Sequence, residues 1–401
     1  MANQIKKSLL VTLDFPPNLG GVATYYYNVC KNLPSDKIVV LAPEQEDDQN
    51  FDSKQNFTIL REFTTIRKKL LRKFPEKWPK GIGGILKIAS SIKWMSLIKY
   101  FYKISKDHNI EIIQAGQVLP IGTLALFYKK RKKIPYIFYA HGLDILLPQK
   151  FMRKKTLLKN IIKEAKAIIA NSHFTKDELI KLGATPNKVK VVYPCPNIKT
   201  EEASEWKMDE IKNEHELHNK KVLLTVGRIV ERKGHDMVIK ALPQIIKEVP
   251  NIIYLIVGKG PQEEKLKNLV KKMKLAEYVK FLGAVPQEDL TAYYQACNTF
   301  IMPARQLPNG DVEGFGIVYL EANLYGKPVI GGKSGGVPEA IIDNQTGLLV
   351  NPESTDEIAQ ASIKLLTDEA YAAKLGTQGL ERVSDEFDWK TQTEKIKEVL
   401  T

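Results

Sequence analysis

Residues 310–322 read Gly-Asp-Val-Glu-Gly-Phe-Gly-Ile-Val-Tyr-Leu-Glu-Ala and follow a short apolar run, Thr299–Met302. The run reads as a buried β-strand, the three glycines as a loop whose backbone can come close to a ligand, and Phe315–Tyr325 as the helix that follows. Strand, glycine loop and helix make half of a βαβ unit, and the rest of the chain repeats this order. In the second half, strands are expected at Val222–Val226, Ile252–Val257, Val279–Leu282, Pro328–Ile330 and Gly347–Val350, with helices at Asp236–Lys247, Gln262–Lys274, Thr355–Leu375 and Trp389–Leu400. The first half offers Leu9–Leu13, Ile38–Leu41, Phe57–Leu60, Ile110–Gln114, Tyr136–Tyr139, Ala167–Ala170 and Val189–Val192. These strands are apolar on both faces, as in parallel sheets covered by helices.

The reading is an α/β protein of two doubly wound, Rossmann-like domains, facing each other so that the carboxyl ends of both sheets meet in a central cleft. Domain boundaries are expected at 1–195, a polar linker at 196–219, a second domain at 220–385, and a C-terminal helix at 386–401 that could cross back to the first domain. The 401 residues suffice for two such cores.

The formal charge of +14 divides unevenly: the first 200 residues carry +20 and the remainder −6. Basic clusters at Arg61–Lys80, Lys129–Lys133 and Arg153–Lys155 suit an anionic membrane, nucleic acid or an anionic lipid. Hydrophobic residues alternate with the cations around Ile66–Trp78, which favours a lipid interface, and no zinc-finger, basic-zipper or RNA-reader pattern accompanies them. Gly83–Ile104 is broken by lysines and reads as a packed crossover helix, not a membrane span. The N-terminal apolar run is short and reads as a strand, not a signal peptide. Cys30, Cys195 and Cys297 are too scattered for a disulfide framework or a zinc site and are expected as small buried residues in a reducing compartment.

Candidate chemistry lies where strands give way to helices. Gly20-Gly21 opens a helical run after the first strand, placing free amides and the helix dipole toward an anion. Arg228 and Lys233 flank the turn after Val222–Val226 as cations suited to a diphosphate. Glu313 and Glu321, with seven residues between them, can accept hydrogen bonds from sugar hydroxyls, while Gly314 and Gly316 let the backbone approach the ligand. His141 follows an apolar strand on a loop. Near misses are set aside: Lys327–Ser334 lacks the first glycine of a nucleoside-triphosphate loop, and His215-Glu-Leu-His218 lacks the spacing of a zinc-protease helix and reads as a solvated pair. Asp311-Val-Glu313 does not imply a metal site, and Gly81–Gly84 reads as a loop.

These motifs, with His141-Gly142, Gly227-Arg228, and Gly331-Gly332-Lys333-Ser334-Gly335-Gly336-Val337-Pro338-Glu339, resemble family-4 glycosyltransferases of the GT-B fold, whose retaining members carry a Glu-x7-Glu motif. Within that family the likeness is greatest to bacterial GDP-mannose-dependent mannosyltransferases of the phosphatidylinositol type. The resemblance implies that Arg228 and Lys233 bind the donor diphosphate, Glu321 the ribose, and Glu313 with the 315–317 backbone the transferred sugar. It places Gly20 and Gly21 over the phosphates and His141 by the sugar, with Arg228, Lys233, Glu313 and His141 as the catalytic set.

It also implies retention at the anomeric carbon, a nucleotide-sugar donor without cofactor or metal, and a lipid-linked saccharide or glycolipid acceptor used in envelope polysaccharide or lipopolysaccharide synthesis. The expected location is the inner face of the cytoplasmic membrane. Alternatives are a UDP-sugar-dependent transferase (GlcNAc, glucose or galactose), an epimerase or phosphorylase of the same fold, and a non-catalytic basic protein that binds membranes or nucleic acid.

Overall fold

The computed structural model describes residues 4–17, 20–61, 100–196, 203–286 and 288–401. Most of the Arg61–Lys80 cluster, the Gly81–Gly84 stretch and most of Gly83–Ile104 lie outside these residues. Two compact units emerge: Met1–Asn171 with Lys176–Val192 and Trp389–Thr401, and Ser172–Thr175 with Tyr193–Asp388.

The first unit holds a seven-stranded parallel sheet, β1 (Ser8–Val11), β2 (Ile38–Leu41), β3 (Thr58–Leu60), β4 (Ile112–Ala115), β5 (Tyr136–Ala140), β6 (Ala167–Ala170) and β7 (Val189–Val191), in the order 3-2-1-4-5-6-7. The second holds β8 (Lys221–Val226), β9 (Ile252–Val257), β10 (Val279–Gly283), β11 (Thr299–Met302), β12 (Val329–Gly332) and β13 (Gly347–Val350), in the order 10-9-8-11-12-13. All named strand pairs are parallel. In both units the winding reverses beside the first strand, between β1 and β4 and between β8 and β11. Chains leaving neighbouring strands there diverge, which opens a crevice at the carboxyl edge.

The central strands are buried on both faces, as a sheet sandwiched between helices requires. Each unit has its own core. Leu9, Val11, Ile113, Phe138 and Ile168 lie in one, and Leu223, Ile256, Ile301, Ile330 and Leu365 in the other.

The structure departs from the sequence expectations at four points. The stretch read as a linker contains helix Glu205–Glu214, begun by Ser204, whose side chain accepts from the Lys207 amide, and anchored by buried Ile211. His215 within it is not solvated: it is 8% exposed, and its Nε2 lies 2.9 Å from the Tyr293 hydroxyl. The long helix expected over Thr355–Leu375 is two helices, Thr355–Thr367 and Glu369–Glu386, parted at Asp368, whose carboxylate accepts from the Tyr371 amide and starts the second. That second helix runs through the boundary placed at residue 385. Helix Trp389–Leu400 belongs to the first unit, where Trp389 meets Tyr25 at 5.2 Å between ring centroids and the Leu400 carbonyl accepts from the Lys6 amide. The three cysteines are buried thiols and form no disulfide among the described residues.

Ile256 is fully buried, whereas Met152 is 85% exposed. Ile256→Ala should lower the unfolding free energy by about 2–5 kcal/mol, and Met152→Ala should change it by no more than about 0.5 kcal/mol, in urea titrations of the intact chain.

Candidate active site

In the second unit the crevice lies where β8 and β11 part. The backbone leaves β8 through Gly227 at φ 144°, passes a short turn at Glu231–Lys233, and enters helix His235–Glu248 through Gly234 at φ 75°. This path brings the Lys233 ammonium back under Gly227, where a Cβ would stand 2.6 Å from Nζ. Gly227 is therefore glycine for two reasons, its left-handed φ and the lysine beneath it.

Lys233 is 8% exposed, and among the described residues its Nζ has the Met302 sulfur at 3.2 Å and Glu313 Oε2 at 3.9 Å. Burial pushes its pKa down, with Glu313 and Glu321 pulling the other way. A desolvated ammonium with so little to bind is poised for an anionic oxygen. Arg228 is exposed and makes no ion pair among the described residues, so it is free to follow a mobile anion.

The 310–316 loop closes the other side. Gly316 at φ 91° starts helix Ile317–Asn323, and a Cβ there would strike the Tyr319 ring at 2.4 Å. Gly335 and Gly336 permit equally close approach to the backbone of Glu313 and Gly314. The Gly336 amide donates to the Glu313 carbonyl at 3.0 Å, so the glycine pair after β12 holds the acidic loop in place.

Glu313 and Lys233 thus come together. Glu321, one turn into the helix, accepts from the Tyr294 hydroxyl at 2.7 Å, and burial raises its pKa. Arg232 was missed by sequence reasoning. Its Nη2 lies 3.5 Å from Glu313 Oε2 and its Nε 3.7 Å from Asp311 Oδ1. The Arg232 Nε, Asp311 Oδ1 and Glu313 Oε2 atoms are buried without hydrogen-bond partners, so the cluster retains donor and acceptor capacity for a polyhydroxylated ligand. The only sequence signal was its place beside Lys233, which reads equally well as a solvated cation.

In the first unit, Gly20 and Gly21 are exposed at the start of helix Gly21–Asn32, which has no side-chain cap and no acidic residue in its first turn. A Cβ on either would meet nothing within 4 Å. His141 leaves β5 half-buried, its amide donating to Asp144 Oδ1 at 2.9 Å and its ring edge-on to Tyr25. The Tyr26 hydroxyl bonds the Gly116 carbonyl and lies 2.7 Å from His141 Nε2.

That hydroxyl has one proton, and the carbonyl can only accept it. His141 Nε2–H must therefore donate to Tyr26, leaving Nδ1 as the acceptor of a neutral imidazole. Burial keeps the ring neutral by holding its pKa at about 4, and it pushes the Asp144 carboxyl up to about 6 against the pull of backbone amides.

Cations at a strand end, carboxylates with acceptor atoms to spare and uncapped helix starts suit one class of protein, an enzyme that handles a nucleotide-linked sugar. Residues 207–382 match the model of the group 1 glycosyl transferases, and residues 19–199 that of glycosyltransferase family 4. A GDP-mannose-dependent alpha-(1-6)-phosphatidylinositol monomannoside mannosyltransferase of Mycolicibacterium smegmatis is 29% identical across 98% of each chain. A GDP-mannose-dependent monoacylated alpha-(1-6)-phosphatidylinositol monomannoside mannosyltransferase of Corynebacterium glutamicum is also 29% identical, again across 98% of each. Anabaena Alr3699/HepE, solved in complex with UDP, superposes with a TM-score of 0.78 at 21% identity, covering 98% of this chain and 99% of that one.

The chain belongs to the family-4 glycosyltransferases, with the GT-B fold, and transfers a sugar from a nucleotide sugar. No helix among the described residues is long and apolar enough to cross a membrane.

Two outcomes follow from the His141 geometry. In long-range 15N–1H spectra the wild-type ring should show the Nε2–H tautomer, and Tyr26→Phe should raise the Nδ1–H population. The second concerns acid. Unfolded histidine titrates near 6.5, so between there and about 4 the folded state binds fewer protons, and stability present above pH 6.5 is lost as pH falls. Asp144 opposes this, since its raised pKa lets the folded state gain protons first. Because His141→Gln removes only the histidine contribution, the stability advantage of wild type over that variant should shrink by about 2 kcal/mol from about pH 7.5 to about pH 5 in denaturant titrations.

Proposed function

We propose that the enzyme is a retaining mannosyltransferase that moves mannose from GDP-mannose to a lipid-linked saccharide or glycolipid at the inner face of the cytoplasmic membrane, in envelope polysaccharide synthesis. The observation that carries this reading is the likeness, over essentially the whole chain, to two GDP-mannose-dependent mannosyltransferases that act on phosphatidylinositol mannosides. The UDP complex of the Anabaena protein favours a second reading, a UDP-sugar-dependent transferase of the same chemistry.

In either reading Arg228 and Lys233 hold the diphosphate. Lys233 supplies a fixed, desolvated charge, and exposed Arg228 a charge that closes onto the ligand. Glu321 orients the ribose hydroxyls, and Glu313 with the Phe315, Gly316 and Ile317 backbone orients the transferred hexose. Gly20 and Gly21 offer amides to a phosphate, and His141 Nδ1 accepts from a sugar hydroxyl.

Transfer at one face of the sugar suits this residue set. The bond from the anomeric carbon to the phosphate oxygen breaks, and the acceptor oxygen bonds to the same face. The acceptor proton passes to the departing phosphate. The protein contributes position and charge stabilisation, greatest where the leaving diphosphate gains negative charge beside Lys233 and Arg228. No metal enters this reading.

Lys233→Ala and Arg228→Ala should each lower turnover by about 10²-fold or more with folding retained, and product NMR should show the donor's anomeric configuration preserved. In a thermal-shift series, GDP and GDP-mannose should raise the melting temperature more than UDP, ADP and their sugars. Selective stabilisation by UDP-sugars would establish the second reading, and an inverted product would overturn the one-face mechanism.

A further inference from the structure

The chain just past His141 does something unusual for a surface. A short helix Leu143–Leu146 and a turn Leu147–Lys150 lead into helix Met152–Glu164. That helix buries Leu158, Ile161 and Ile162 against the core. Its start and approach leave Leu143 36%, Leu147 46%, Phe151 54% and Met152 85% exposed, half of all the large exposed apolar side chains among the described residues. Scattered exposed apolar residues need no explanation, but a run confined to one ten-residue stretch does.

The charge around the run has one sign. Lys150, Arg153, Lys154 and Lys155 are exposed and make no ion pair among the described residues. From Leu143 to Lys163 the sole carboxylate is Asp144, which is turned inward to the His141 amide. The Lys154 ammonium sits 4.6 Å from the centre of the Phe151 ring, so apolar body and cation are presented together.

We infer that Leu143–Lys155 is a membrane-docking surface, with Leu147, Phe151 and Met152 entering the boundary between headgroups and acyl chains of an anionic bilayer and the four cations meeting its phosphates. Projecting aliphatic side chains beside unpaired cations match a layer that is anionic outside and apolar just beneath. Nucleic acid offers the charge without the apolar layer, and Met152 and Leu147 would gain nothing there. The surface begins two residues after His141, so docking brings the bilayer to the strand end that carries a proposed sugar contact. That functional link rests on the lipid-acceptor reading, whereas the docking itself does not.

The test is sedimentation of the full chain with vesicles of phosphatidylcholine alone or mixed with phosphatidylglycerol, at low and high salt. Wild type should bind the mixed vesicles and weaken as salt rises. The double variant Phe151→Ser, Met152→Ser should lose at least tenfold in vesicle affinity. Replacing Lys150, Arg153, Lys154 and Lys155 with Gln should remove most of the binding and its salt dependence. Unchanged melting temperatures and unchanged thermal response to nucleotide sugars separate lost docking from lost folding and from failure of the donor reading. Vesicle binding by both variants at the wild-type level would overturn the proposal. So would an absence of vesicle binding alongside salt-sensitive binding to single-stranded DNA that only the Gln variant loses.

Discussion

A single desolvated cation organises the second unit. Lys233 reaches under the end of β8 only because Gly227 has no side chain, and its short turn is closed by Gly234, where a Cβ would stand 2.2 Å from the Pro303 carbonyl. Its neighbours are a thioether and one carboxylate at the limit of ion-pair range. Burying an ammonium so poorly paired costs stability. The strand-order reversal beside β8 provides the crevice, and the glycines let a charge occupy its floor. The acidic loop is then fixed around that charge by Gly316, Gly335 and Gly336, each admitting a contact that a side chain would block.

This dependence explains why the fold was legible in sequence and the site only partly so. Strands buried on both faces appear as apolar runs whatever lies between them, and most were placed within two residues of their observed ends. The glycine-rich turns were equally plain, because the backbone needs them for reasons that a sequence displays. What sequence conceals is the environment of a polar side chain. Arg228 and Lys233 read as an equivalent pair, yet one is exposed and the other buried. Arg232, which no motif singles out, sits between two carboxylates. His215 looked solvated because its flanking residues are polar, and the helix it follows packs it against Tyr293.

The first unit resolves its electrostatics differently. Where the second unit buries a cation, this one buries a neutral ring: burial drives His141 to its free base and raises the Asp144 carboxyl to about 6, which leaves it mostly ionised at neutral pH. Burial disfavours the charged form of each group, and the two form no ion pair, because Asp144 takes its hydrogen bond from the His141 backbone instead of the ring. The ring is then oriented by Tyr26, whose single proton is already committed to Gly116. A neutral imidazole with a defined acceptor nitrogen suits recognition of a hydroxyl, and it leaves charge stabilisation to cations elsewhere in the chain.

The +20 of the first half therefore does not describe the surroundings of His141, whose ring is neutral. Part of the excess lies on exposed surface at Lys150–Lys155, where no carboxylate pairs with it among the described residues and apolar side chains share the exposure. Field from cations several residues away falls off within about a Debye length, roughly 8 Å in physiological salt. Exposed lysines can thus draw the chain to an anionic surface while leaving the buried His141 environment little altered. Separation by solvent screening lets one domain carry a strong net charge on its surface while a neutral imidazole inside it keeps its hydrogen-bonding role.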